Sequence, residues 1–128
     1  MSDREKTILV VDDAPENIQL LSGLLKAEYK VKAATSGEKA LVVAARQPVP
    51  DLVLLDVMMP EMDGYEACRR LRDDPATRDI PVVFVTGHSS DEERAHGLAL
   101  GAAGFLVKPV DPEELFNTVR KIFGQAQE

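Results

Sequence analysis

Four short apolar runs punctuate the chain: Ile8-Leu9-Val10-Val11, Leu52-Val53-Leu54-Leu55, Val82-Val83-Phe84-Val85 and Phe105-Leu106-Val107. Runs of this length, apolar throughout, suit strands buried on both faces of a sheet. They predict strands over roughly 7–12, 51–55, 82–86 and 103–107, and 29–34 reads as one more. Between strands the apolar spacing becomes that of a helix. Pro15 opens the first helix where its missing N–H costs nothing, and Ile18, Leu21 and Leu25 line one face. Thr35 and Glu38 have capping-box spacing, ahead of a helix expected to bury Ala40, Leu41, Ala44 and Ala45 and to stop before Pro48. Pro60, Asp63 and Gly64 mark a loop before a helix that runs to about Arg72. Ser90 and Glu93 form a second capping box, for a helix ended by Gly101. Asp111-Pro112 starts the last helix, which faces inward through Leu115, Val119, Ile122 and Phe123.

Strands alternating with helices predict an α/β fold, a parallel sheet covered by helices on both faces. Length and connectivity favour a flavodoxin-like (βα)5 doubly wound sandwich with five strands in the order 2-1-3-4-5. The 128 residues are expected to form one domain over 1–128, large enough to bury a core without disulfides or structural metal.

In that order, Asp12 and Asp13, Asp56, Thr86 and Lys108 follow the ends of consecutive strands, at the carboxyl edge where open α/β sheets bind ligands. Neighbouring strands lie roughly 5 Å apart, so three carboxylates there repel unless a cation neutralises them. Magnesium, a hard octahedral ion that keeps positions for water and phosphate oxygens, fits such a set, and Mn²⁺ could replace it. Aspartate can accept a phosphoryl group as an acyl phosphate. Lys108 can pair with one phosphoryl oxygen and the Thr86 hydroxyl can hydrogen-bond another. Gly87 beside it is expected to allow close backbone approach.

The net charge of −7 and a pI near 4.8 argue against direct nucleic-acid binding, since phosphate backbones need clustered Lys and Arg. Cys68 has no second cysteine to pair with, which suits a reducing cytosol. MSDREKT lacks the apolar centre of a signal peptide, and no apolar run approaches the roughly 20 residues that span a bilayer. A cytoplasmic domain without membrane association is expected.

The fragments VVDD at 10–13, LLDVMMPEMDG at 54–64, VTG at 85–87 and LVKP at 106–109 together resemble the receiver domain of two-component response regulators, over about residues 7–123. The resemblance implies that Asp56 is the phosphoacceptor. Asp13, Asp56 and the backbone carbonyl of Met58 would bind Mg²⁺, with Asp12 acting largely through water. Lys108 would contact the phosphoryl group, and Thr86 would turn toward it after transfer. Phe105 would report the state as a buried or exposed aromatic, and the bond before Pro109 is expected to be cis. Met58 and His88, each two residues beyond a site residue, are expected to tune phosphoryl lifetime, apolar Met58 by shielding it from water. A histidine kinase or phosphotransfer protein would be the donor. Output would pass to an effector or fused domain through the fourth helix, fifth strand and fifth helix, and phosphorylation could drive homodimerisation. The stretches DDAPEN at 12–17 and FVTGHSSDEE at 84–93 are similar to receivers fused to cyclic-di-nucleotide enzymes.

Plainer roles compete for several of these residues. A strand-end acid can simply cap a helix, but Asp12 and Asp13 in succession exceed what one cap needs. Asp63-Gly64 reads as turn chemistry, His96 as a helix surface residue and Cys68 as a core side chain. Glu92-Glu93-Arg94 and Arg69-Arg70 read as solvated helix faces. A haloacid-dehalogenase-type phosphohydrolase would want an acid where Met58 stands. A flavodoxin-like electron carrier would want Ser, Thr and Gly where Asp12 and Asp13 stand. The reading is therefore a switch that phosphorylates and dephosphorylates itself, not a turnover enzyme.

Overall fold

A computed structural model describes residues 6–87 and 90–124. Its strands are β1 (Thr7–Val11), β2 (Lys30–Ala34), β3 (Leu52–Asp56), β4 (Val82–Thr86) and β5 (Gly104–Val107). The helices between and after them are α1 (Pro15–Leu25), α2 (Gly37–Ala45), α3 (Gly64–Asp73), α4 (Asp91–Ala99) and α5 (Pro112–Gly124). All strand pairs are parallel and the order is β2-β1-β3-β4-β5, the flavodoxin-like arrangement expected. No helix among the described residues is long and apolar enough to cross a membrane.

Successive strand residues point to opposite faces, and the core divides accordingly. Ile8, Val10, Leu52, Leu54, Val83, Val85 and Leu106 pack with Leu21 and Leu25 of α1 and Leu115 and Val119 of α5. Leu9, Val11, Val53, Leu55, Val82 and Phe84 face Ala40 and Ala44 of α2 and Ala67, Cys68 and Leu71 of α3. This alternation decides which way the residues just beyond each strand point.

Local signals act as physical chemistry requires, with some shifts. Ser90 caps α4 by accepting the Glu93 N–H, and Asp111 accepts the Glu114 N–H at the start of α5. Asp63 proves to be the N-cap of α3, accepting the Glu66 N–H at 2.9 Å. The cap of α2 is Ser36, not Thr35: its Oγ accepts the Lys39 N–H, while Thr35 Oγ1 lies 3.5 Å from the Lys39 ammonium. The frame of α2 follows, so Ala40 and Ala44 are buried, Leu41 is half-buried and Ala45 is exposed. Cys68 is fully buried, as expected of a core thiol, and burial pushes its pKa up.

Candidate functional site

The carboxyl edge gathers its polar residues by parity and register. Val11 pairs with Leu55 across β1 and β3, so Asp12 and Asp56 come next side by side. Asp12, Asp56 and Lys108 continue the alternation of Val10, Leu54 and Leu106, and all three turn toward the α1–α5 side. Lys108 Nζ lies 3.1 Å from Asp12 Oδ2 and 3.1 Å from Asp56 Oδ1. Its backbone N–H donates to the Thr86 carbonyl at 2.8 Å, extending the β4–β5 ladder to hold the base of its side chain. The Lys108–Pro109 peptide is cis, as expected, and Gln47–Pro48 is a second cis bond.

Asp12 and Asp56 are each only 2% exposed, whereas Asp13 is open to solvent. One carboxylate oxygen from each of the three lies within 4.8 Å of the others. Burial pushes the Asp56 pKa up, helped by the neighbouring charge of Asp12, and the bonds from Lys108 and the Met58 backbone only partly offset this. For Lys108, burial acts downward, but hydrogen bonds to Asp12 and Asp56 outweigh it and the pKa rises. The ammonium therefore stays charged. One cation does not balance three close carboxylates, and their hard oxygens at one solvent-accessible corner fit a divalent ion such as Mg²⁺.

Thr86 is 3% exposed and follows Phe84 in parity, so it belongs to the α3–α4 side of the sheet. Phe105 lies on that side too, half-buried against Phe84 with ring centroids 5.8 Å apart. The Arg94 guanidinium sits 5.3 Å above the Phe105 ring, so Arg94 is more than a solvated helix residue. His96 is exposed on its helix, as expected, but it also stacks on Tyr65 at 4.3 Å. Met58 stands at the rim, 71% exposed. Gly87 is exposed, and a Cβ there would meet nothing within 4 Å among the described residues. His88 lies outside the described residues.

Two residues that sequence reasoning passed over complete the picture. Asn17 donates from Nδ2 to Asp12 Oδ2 at 3.2 Å. Arg72 donates to four backbone carbonyls, those of Arg78, Ile80, Leu100 and Gly101, and ties α3 to the segments before β4 and after α4. The partners of Arg72 are up to 29 residues away, and Asn17 lies within the DDAPEN stretch but its spacing from Asp12 does not by itself announce a contact.

The family model described as "Response regulator receiver domain" matches residues 8–120. The response regulator PleD of Caulobacter vibrioides is 52% identical over 116 residues, which are 90% of this chain and 25% of PleD. A Vibrio cholerae protein named "Probable cyclic di-GMP phosphodiesterase" is 49% identical over 104 residues, 81% of this chain and 23% of that protein. The chain thus spans about a quarter of the length of these two relatives. Among solved structures, the chemotaxis protein CheY4 of Vibrio cholerae superposes with a TM-score of 0.88 at 34% identity, covering 93% of this chain and 99% of that one. The match over residues 8–120, the strand order and the gathered acids agree, and the chain belongs to the receiver domain family of two-component response regulators.

Proposed function

We propose that this domain is a phosphorylation-dependent switch in which Asp56 accepts a phosphoryl group from a histidine kinase or phosphotransfer protein, in a Mg²⁺-dependent reaction. The observation that carries this reading is the placement of Lys108, 3.1 Å from both Asp12 and Asp56, beside a carboxylate cluster open to solvent through Asp13. A carboxylate oxygen of Asp56 forms the new bond to phosphorus as the N–P bond of the donor imidazole breaks, leaving an acyl phosphate. Asp13, Asp56 and the Met58 carbonyl would hold Mg²⁺, with Asp12 acting through water, and the bound ion would supply charge neutralisation for the phosphoryl oxygens. Lys108, kept charged by its acidic neighbours, moves from the Asp56 carboxylate to an oxygen of the new phosphoryl group. The Thr86 hydroxyl binds another oxygen and draws on the side of the sheet where Phe105 and α4 pack. These contacts differ between two arrangements of the domain, and that difference shifts their populations.

Output then passes through α4, β5 and α5 to an effector or fused domain, with homodimerisation as one form it can take. Met58 at the rim shields the acyl phosphate, and His88 tunes its lifetime. The likeness to the Vibrio cholerae protein, together with DDAPEN and FVTGHSSDEE, supports a cyclic-di-nucleotide enzyme as the class of output. Borohydride reduction of the phosphorylated protein tests the acceptor, because it converts an aspartyl phosphate to homoserine. Peptide sequencing should place homoserine at position 56; finding it at 12 or 13 contradicts the assignment.

A further inference from the structure

Asp12 is held at both of its oxygens. Oδ1 accepts the Ala14 N–H at 2.9 Å, while Oδ2 accepts from Asn17 Nδ2 at 3.2 Å and faces Lys108 Nζ at 3.1 Å. Asn17 sits in the first turn of α1, half-buried, at the edge of a cavity of about 310 Å³ that Leu20, Leu21, Val85 and Lys108 also line. Asparagine is a poor helix residue because its amide competes with the backbone. Here the amide reaches across to the strand end instead, and its neutral donor holds an anion without cancelling the charge that attracts a cation. A lysine in its place would compete with the ion, and an aspartate would repel Asp12.

We infer that Asn17 is a positioning residue for the cation site: its amide fixes the Asp12 carboxylate in the orientation shared with Lys108, ready to serve as an outer ligand. The inference rests on the Mg²⁺ reading above. Groups that orient a directly bound ligand typically change metal affinity about 10–100-fold when removed, and for a group that orients an outer ligand the lower end of that range applies.

The test is calorimetric titration of Mg²⁺ into metal-free protein near neutral pH, with melting curves in EDTA, for wild type, Asn17→Leu and Gln19→Ala, an exposed control on the same helix. Asn17→Leu should raise the Mg²⁺ Kd about 10-fold, with its melting temperature in EDTA close to wild type and its acetyl phosphate rate restored at saturating Mg²⁺. Gln19→Ala should bind like wild type. If the leucine variant fails to fold, Asn17→Ala repeats the measurement without added bulk. An unchanged Kd in the folded Asn17 variant overturns the inference while leaving the Mg²⁺ reading intact. Absence of binding in the wild type overturns the Mg²⁺ reading, and this inference with it.

Discussion

Gly64 approaches the backbone of Asp56 so closely that a Cβ at position 64 would lie 2.3 Å from the Asp56 carbonyl oxygen and 2.9 Å from the Val57 Cα. The Gly64 N–H also donates to the Val57 carbonyl at 2.8 Å. The first turn of α3 is thus folded directly onto the strand end that carries the proposed acceptor. Backbone cannot swing aside as a side-chain tip can, so Gly64→Ala must displace the β3–α3 junction. It should cost about 2–3 kcal/mol, in the range of overpacked cores, and slow phosphorylation even where the variant stays folded. Denaturant unfolding and the acetyl phosphate rate check both. A variant as stable and as fast as wild type would show that the junction yields freely.

Burial raises the Asp56 pKa, and the sign of the consequence follows. A carboxyl whose folded pKa exceeds its unfolded value favours the folded state below the unfolded pKa, near 4, and that contribution is lost as pH rises through the folded value. Removing the charge should therefore help at neutral pH in the absence of metal. Asp56→Asn in EDTA is expected to melt above wild type at neutral pH. The gap should close as pH falls toward about 4. Paired melting curves across pH decide it, and a gap that widens on acidification contradicts the assigned direction.

Gly97 seats Phe105 beneath α4. A Cβ there would lie 2.5 Å from Phe105 Cζ and 3.1 Å from Phe84 Cδ2. Phe84 is fully buried, so the half-buried Phe105 ring is the partner that gives way. Gly97→Ala should shift Phe105 outward, and the lost packing should exceed the roughly 1 kcal/mol that alanine contributes to a helix. Ring proton shifts of Phe105 by NMR, with a melting curve, report both effects. Unchanged shifts in a stabilised variant would contradict the seating.

Arg72 bridges three segments through four carbonyls, including that of the buried Ile80 at 2.9 Å. A lysine retains the charge but not the planar fork. Arg72→Lys should cost about 2 kcal/mol, because the part-buried carbonyls of Ile80 and Leu100 lose their guanidinium donors. Urea unfolding checks it; a loss within error of zero would mean that water replaces the guanidinium.

How far the sequence could be read depends on the range of each interaction. The strands were legible because apolar runs buried on both faces carry their own signature, and β4 falls at 82–86 as expected. Ser90 and Asp63 act through partners three residues away, so their role can be found locally. Spacing alone does not choose between Thr35 and Ser36 as the α2 cap, since both are good caps, and the structure uses Ser36. Asp12, Asp13 and Asp56 could be brought together once the strand order was inferred. Asn17, Arg72 and the Gly97–Phe105 contact could not: the first and last depend on how a helix sits against the neighbouring strand rather than on spacing, and Arg72 reaches carbonyls up to 29 residues away.

In the proposed switch, Asp56 takes a phosphoryl group with help from a divalent cation. Intact mass after incubation with acetyl phosphate, with and without Mg²⁺, for wild type and Asp56→Asn, tests it most directly. The wild type with Mg²⁺ should gain one phosphoryl group, and there should be no gain without the ion or in the variant. An equal gain in Asp56→Asn, or no gain in a wild type shown to bind Mg²⁺, would contradict it.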